Sequence, residues 1–539
     1  MPSRRRFRAL LPVVVLASVL ASVLACDEAA PTLPTAPVEP NLATFVLKAS
    51  DNPGLTADVV GDIRGDTVQV VLPRVLAVTA LVPRFSVTEA GTVVRVDTVP
   101  QRSGQHAHDF TPNVTYSLAS STGAIHDYVV VVTVFTGLPV VTVTTVGGAP
   151  ILTREDYVNA TVAIYGGKEN PQFDYAGTTQ IRGRGNSTWA NPKKPYRLKL
   201  TTSSSLFGFP ADRDWTLLAN YWDPALVRNA LAFQLSGMMS AIAYTPRCTP
   251  VEVVVNGVHQ GAYQLCDHVE VATNRVPATS AGWFLEISDI TRVDADETYF
   301  HTPAIDAWST QSDPYPSVWI YKQPNPPTVA QRATVEGEML RFEGVLYGEG
   351  FADPDTGYAK YLDVDPTIDW FIVQELSKNN DAAFFNSVYA YKAPIGKIII
   401  GPLWDFDLAF GNYPFDFSPT GWKIRNAAWV ARLFEDRAFI ERLKVRWQLL
   451  YSRRAQVDAF IVNYTRALEH SQRRTHAMWF PYDPTPLLLA GDLSASIRQP
   501  RARSFAAVLT DAYFPSEVNR VRDWLNARWS WLNTNINDL

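Results

Sequence analysis

The stretch from Ser377 to Gly411, SKNNDAAFFNSVYAYKAPIGKIIIGPLWDFDLAFG, constrains this chain more than any other. It sets acidic and amide side chains at both outer ends of a short hairpin. Asp381 and Asn386 form D-x-x-x-x-N. VYAYK and KIII read as two β-runs joined by the turn Ala393-Pro394-Ile395-Gly396, and the second run delivers Trp404-Asp405-Phe406-Asp407. A hairpin brings its outer ends together. Three carboxylates and one amide are therefore predicted to converge where like charges repel unless a cation sits among them. Oxygen-only ligation of this kind suits Mg²⁺ or Mn²⁺, not zinc.

The same layout occurs in the catalytic half of a protein kinase. There an Asp and an Asn four residues apart serve as base and metal ligand, and a D-F-G Asp one hairpin later makes a second metal contact. W-D-F-D stands here where D-F-G would. The plainer alternative is that Asp381 and Asn386 cap a turn and Asp405 ends a strand.

The amino terminus carries Arg4, Arg5, Arg6 and Arg8 ahead of the apolar run LLPVVVLASVLASVLA, which stops at Cys26. This is a secretory signal with an n-region and an h-region, not a membrane span. Val23-Leu24-Ala25-Cys26 has the form of a bacterial lipobox, which predicts lipidation at Cys26 and a Pro-rich surface tether over 26–40. Losing those four arginines takes the formal charge from −5 to −9. An acidic mature protein argues against a nucleic-acid partner. With 539 residues, 47% hydrophobic and 19% charged, the chain is globular and holds several domains. Cys248 and Cys266 remain as an even pair in a chain bound for an oxidising compartment.

From 41 to 140 short alternating runs (TFVLKA, TVQVVLP, TVVRVDTV, VTYSLAS, DYVVVVTVF) are divided by Asn, Gly, Pro and Ser, which predicts an all-β sandwich of immunoglobulin-like type. His106, His108 and Asp109 read as a polar loop there. VTVTTVGGAP links the sandwich onward. In TTQIRGRGNSTWANPKKPYRLKL, Gly183 and Gly185 flank Arg184, and Asn186, Ser187 and Thr188 offer side-chain donors. In the strand that follows, Tyr196, Leu198 and Leu200 face one way, Arg197 and Lys199 the other. Such a turn can bind phosphate through backbone amides and cationic side chains; a plain hairpin with a solvated basic face is the alternative. A helix is predicted from an Asp223 N-cap with Pro224 at its first position and a stripe of Leu226, Ala230, Leu231 and Leu235, and Asp212, Asp214 and Arg228 read as salt-bridge partners. VEVVVNGVHQGAYQL is a hairpin about an Asn256-Gly257 type I′ turn. A one-residue bulge in it would set Cys248 opposite Cys266, within reach of a disulfide.

The order of Gly-containing turn, basic strand, helix, hairpin and crossing segment CDHVEVATNR matches a kinase small lobe ending at its hinge. RGRGNSTW with KKPYRLKL, LLANYWDPALVRNALA, VNGVHQGAYQL, YKQPNP, NNDAAFFN and PLWDFD together resemble the spore-coat-protein-H (CotH) kinase-like family, over about Leu152 to Leu539. The resemblance implies an α+β atypical protein-kinase-like fold over 150–539, with a small β-rich lobe at 150–270 and a larger helical lobe at 271–539. It further implies ATP and Mg²⁺ or Mn²⁺ as cofactors and Ser/Thr of a protein as acceptor. Carried over by motif, Asp381 becomes the catalytic Asp, Asn386 a metal ligand, Asp405 the D-F-G Asp, and Asp407 a further metal contact. Lys194 and Lys199 become alternatives for the phosphate-pairing lysine, and Asp267 stands where the family carries a Glu near the hinge. Secreted relatives are often lipoproteins with added β-sandwich modules. The competing readings are a non-catalytic surface protein on the same fold and a metal phosphohydrolase, which lacks a separate nucleophile here.

Overall fold

Alternating runs of five to ten residues bury one face each, and the chain satisfies them with two successive all-β units before any long helix appears. The structure, a computed structural model, describes residues 39–479 and 512–539, apart from 56–57, 73–77, 135, 168–169 and 312–314. The signal segment, Cys26 and nearly all of the tether lie outside the described residues.

The first unit pairs a three-stranded sheet (Leu42–Leu47 between Val59–Val60 and Pro83–Val87) with a six-stranded one. The second includes Thr67–Leu72, Ile125–Val134, Val114–Ala119 and Val93–Val96. Phe45, Val68, Val70, Leu72, Tyr116, Leu118, Val130 and Val132 fill the space between them. The histidine-bearing segment is a polar loop: His106 Nδ1 and His108 Nε2 both bond Gln101 Oε1, at 3.1 and 2.8 Å.

The second unit is a closed barrel of seven strands in the order Val140–Thr145, Val158–Tyr165, Tyr175–Gly183, Tyr196–Ser204, Asp212–Leu218, Val258–Asp267 and Cys248–Val255. Two of these correct the sequence reading. Val140–Thr145, expected to be linker, closes the barrel by lying parallel to Cys248–Val255, with Val141 opposite Val253. Asp212–Leu218, unassigned in sequence, is a strand buried along Trp215 to Leu218. Tyr196, Leu198 and Leu200 point inward and Arg197 and Lys199 outward, as their alternation predicts.

Asn256 and Gly257 take positive φ of 48° and 77°, which a type I′ turn requires. The register slips by one residue between Val253 and Val254, so Cys248 pairs with Cys266 across the strands. The two are free thiols, however, not the expected disulfide. Opposed strand positions supply proximity, but a bond also needs a specific torsion about the sulfurs.

The third unit is an antiparallel sheet in the order Tyr299–Phe300, Ser317–Gln323, Trp283–Asp289, Val388–Lys392, Ile399–Ile400, with helices packed around it. Its core is aromatic, with Trp319, Trp370, Trp429 and Trp447 fully buried; burying each such side chain contributes on the order of 2–3 kcal/mol. The helix Arg228–Gly237 starts four residues later than its sequence suggests. Asp223 instead accepts from the amides of Ala225, Val227 and Arg228 (3.1, 2.8 and 2.7 Å) and pairs with the Arg228 guanidinium, so it caps a turn ahead of the helix. The helix Glu469–Trp479 returns to the barrel, where Thr475 Oγ accepts from Ala262 N at 2.7 Å. No helix among the described residues is long and apolar enough to cross a membrane.

Candidate active site

The predicted hairpin forms, with Ala390 opposite Ile400 and Tyr391 opposite Ile399. The helix Val364–Ser377 ends on Lys378 in a left-handed conformation and releases the chain into the Asp381 loop. The amides of Phe385 and Asn386 fold back onto Asp381 O at 3.0 and 3.1 Å. On the other arm Asp405 has φ 66° and beside it Ser387 has φ 55°, a region non-glycine residues rarely occupy. Asp405 is held there by Asn379 Nδ2 on its carbonyl (3.0 Å), by Ser387 Oγ on its carboxylate (3.3 Å), and by Phe406 N on Asn229 Oδ1 (2.8 Å). Backbone strain of this kind, about 1–3 kcal/mol per residue, persists where surrounding structure imposes it.

Between barrel and sheet lies a cleft of about 330 Å³. Arg184, Gly185, Asn186 and Ser187 line it from the barrel, Asn386, Asp405 and Asp407 from the hairpin. The charges behave as the convergence predicts. Burial and then the Asp405 charge raise Asp381 to about 6. Burial raises Asp405 as well, against the pull of Arg184 and Arg292. Asp407 is driven furthest up, by burial and then by Asp405, Asp381 and Asp223. Arg184 lies 5.4 Å over the Trp404 ring and is the barrel cation nearest in charge to Asp405.

Other predicted residues are elsewhere or otherwise engaged. Lys194 Nζ donates to Trp189 O at 2.6 Å, and Lys199 lies 6.0 Å from the Tyr157 ring; neither lines the cleft. Asp267 is buried against Arg247 at 2.7 Å and is a structural ion pair. Asn386 Oδ1 accepts from Ser288 Oγ (3.2 Å) and Asp289 N (3.1 Å), so both its lone pairs are spent on the neighbouring strand.

The cleft contains cations to which the sequence reading gave no role. Lys322, in YKQPNP, bridges Glu286 (3.1 Å) and Glu297 (2.9 Å). Burial alone would lower its pKa; those two carboxylates outweigh it and hold the ammonium raised. Lys193 is buried, donates to Ala262 O, and is lowered by burial to about 7. Asn191 lines the cleft fully buried, with neither side-chain amide atom partnered. Only the YKQPNP and KKPYRLKL motifs signalled any of these in the sequence.

Asp405 and Asp407 offer hard oxygen donors, among the described residues no cation makes a salt bridge to either, and the donor set fits Mg²⁺ or Mn²⁺. A tighter acidic group, Asp212, Asp214 and Glu270, has ligand atoms within 4.8 Å of one another. Arg197 pairs with Asp214 at 2.6 Å, and Arg275 with both Asp212 and Glu270, so this group is already neutralised from within.

A barrel and a helix-covered sheet enclosing a cleft, with carboxylates on one wall and arginine on the other, make this a mixed α/β protein. A family model described as CotH kinase protein matches residues 181–532, and the chain belongs to that family. No curated protein matches. Two solved structures are similar in part. One, from Bacteroides fragilis and provisionally assigned as a secreted protein, is 16% identical with a TM-score of 0.13, over 18% of this chain and 94% of that one. The other, from Bacteroides thetaiotaomicron and provisionally assigned as a glycoside hydrolase, is 15% identical with a TM-score of 0.16, over 50% of this chain and 66% of that one.

Proposed function

We propose that this chain is an exported, lipid-anchored protein kinase with an atypical kinase-like fold, moving the γ-phosphoryl group of ATP to a protein Ser or Thr with Mg²⁺ or Mn²⁺. The observation that carries the reading is a cleft with Asp405 and Asp407 on one wall and Arg184 on the other, next to an Asp381 carboxyl that burial and the Asp405 charge hold raised. A dication held there would supply charge neutralisation for the phosphates. Asp405 and Asp407 are the residues suited to hold it. Arg184 and the Gly185–Ser187 backbone face the phosphates from the barrel. Asp381 orients the acceptor hydroxyl and takes its proton. A pKa near 6 keeps Asp381 mostly ionised at neutral pH while leaving it basic enough to receive that proton. Asn386 acts in this scheme chiefly by pinning the loop to strand Trp283–Asp289.

The immunoglobulin-like sandwich is read as a module between the Cys26 anchor and the kinase-like region. A non-catalytic binding protein remains the second reading, favoured by one observation: Lys322 is already neutralised by Glu286 and Glu297. Incubating the protein lacking its signal segment with labelled ATP and Mg²⁺ or Mn²⁺ separates the two. Metal-dependent label on the protein itself or on a casein-like acceptor supports the kinase, and Asp381→Asn should cut it by about 10²- to 10⁴-fold while nucleotide still binds. Nucleotide binding without transfer by the wild type would favour the binding protein.

A further inference from the structure

Arg154 precedes the part of the chain that the family match covers, which begins at residue 181, yet it lines the cleft and its guanidinium lies against the Gly-containing turn. One terminal nitrogen, Nη1, donates both to Gly185 O at 3.2 Å and to Asn186 Oδ1. The other, Nη2, reaches Asp294 Oδ1 at 3.3 Å, in the segment that follows strand Trp283–Asp289, and Nε lies 3.6 Å from Glu155 Oε1. Two carboxylates therefore face its charge, and what Arg154 contributes to the cleft is geometry.

The side chain is mounted from both units. Arg182 Nη1 donates to Arg154 O, and Gly183 N donates to Thr153 O at 2.9 Å, so residues 153–154 are stitched to the strand that runs into the turn. Asp294 N donates to Glu297 Oε2 at 3.1 Å, and Glu297 pairs with Lys322 at 2.9 Å. The line Arg154, Asp294, Glu297, Lys322, Glu286 thus crosses from the barrel turn to the sheet, and every member of it lines the cleft. Gly185 has φ 79°, and a Cβ there would fall 2.0 Å from Thr188 Oγ1, so the turn admits no side chain at that position. An ionised phosphate oxygen only accepts hydrogen bonds, and an uncovered carbonyl beside it repels it. In this turn the Gly185 carbonyl and the Asn186 side-chain oxygen are both turned to Arg154. A guanidinium has no acceptor, so exposed Asn186 gives its oxygen to Arg154 and keeps Nδ2, a donor only, for the cleft that it lines.

We propose that Arg154 is a positioning residue for nucleotide phosphates: it covers both acceptors of the Gly185–Asn186 turn and ties the turn to the sheet unit, so that N–H donors face the arriving anion. The proposal rests on the reading of this cleft as a nucleotide site. Arg184 supplies charge there, and Arg154 sets which way the dipoles of the turn point. Its effect falls on binding of the di- or triphosphate and not on recognition of the nucleoside.

The test compares wild type with Arg154→Met, Arg154→Lys, Asn186→Ala and the double variant Arg154→Met/Asn186→Ala, with a thermal midpoint measured for each. ADP with Mg²⁺, adenosine and inorganic tripolyphosphate are titrated by calorimetry, and KM for ATP and kcat are taken from phosphotransfer. Arg154→Met should weaken ADP and tripolyphosphate by about 10- to 100-fold, the size of losing a hydrogen bond to a charged group, and leave adenosine unchanged. KM for ATP should rise by a similar factor with kcat retained. Arg154→Lys, which restores a donor toward Gly185 O and Asn186 Oδ1, should recover part of the affinity. The double variant should lose less than the product of the two single losses, because Arg154 acts in part through Asn186. Wild-type affinity for tripolyphosphate in Arg154→Met, a loss shared equally by adenosine and ADP, or independent effects in the double variant would overturn the proposal while leaving the kinase reading intact. Should Arg154→Met fail to fold, Asn186→Ala on its exposed turn decides: a weakened tripolyphosphate affinity supports the proposal and an unchanged one overturns it. A wild type that binds ADP in this pattern but transfers no phosphate overturns the kinase reading alone, and one that binds neither ADP nor tripolyphosphate overturns both.

Discussion

Replacing Asp381 by Asn should make the metal-free protein more stable, although it removes the proposed catalytic base. Burial and the Asp405 charge lift the Asp381 carboxyl from an ordinary 3.8 to about 6. A shift of about two pKa units corresponds to about 3 kcal/mol between the two protonation states. The sign follows from a folded pKa above the unfolded one. The stabilisation from this group is complete below pH 3.8 and is lost as pH rises through about 6, so at neutral pH its ionisation works against the fold. Asn has the shape of Asp without the charge. In chelator near pH 7.5, Asp381→Asn should therefore gain up to about 3 kcal/mol, and near pH 4 the gain should vanish. Because Asp381 is only half-buried, water screens part of the repulsion and 3 kcal/mol is a ceiling. The assay is guanidinium unfolding followed by tryptophan fluorescence, at both pH values, with and without millimolar Mg²⁺. The cation should narrow the gap by relieving the repulsion in the wild type. A gain equal at both pH values, or no gain at neutral pH in chelator, would refute the argument that three carboxylates repel one another there.

Asp405→Ala should abolish metal-dependent nucleotide binding measured by calorimetry, since it removes a charged ligand as well as the carboxylate facing Arg184. Glu375→Gln should cost about 3–5 kcal/mol in unfolding experiments, because it leaves buried Arg528 without its counter-charge and loosens the turn that begins at Lys423. Burial raises the Cys266 thiol well above its usual range, so a thiol reagent should modify half-buried Cys248 much faster than Cys266 in the native protein. Both should react after unfolding, and an intact mass short by two hydrogens would show a disulfide instead. Cys26→Ser should move the protein from the membrane fraction to the soluble one; a wild type without acyl mass would end the lipid-anchor proposal.

Much of the site was legible in sequence because its information is local. VYAYK, a four-residue turn and KIII form a hairpin whatever else surrounds them, and a hairpin must bring Asp381 near Asp405 and Asp407. The inward set Tyr196, Leu198 and Leu200 was fixed by the two-residue period of a strand, and the Cys248–Cys266 register by the Asn-Gly turn together with a one-residue bulge. Periodicity records which face is buried but not what covers it. The parallel pairing of Val140–Thr145 with Cys248–Val255 joins segments about a hundred residues apart, so only barrel closure could reveal that a supposed linker is a strand. The cations were misjudged for the same reason. Lys194 and Lys199 are close in sequence to the Gly-containing turn, but Lys194 folds onto Trp189 and Lys199 points outward beside Tyr157. Arg292 and Lys322 reach the cleft through a turn and an ion-pair bridge that lie far off in the chain. Residue identity and short-range geometry were enough to assemble the carboxylates; which positive charges meet them depends on tertiary contacts that no local pattern encodes.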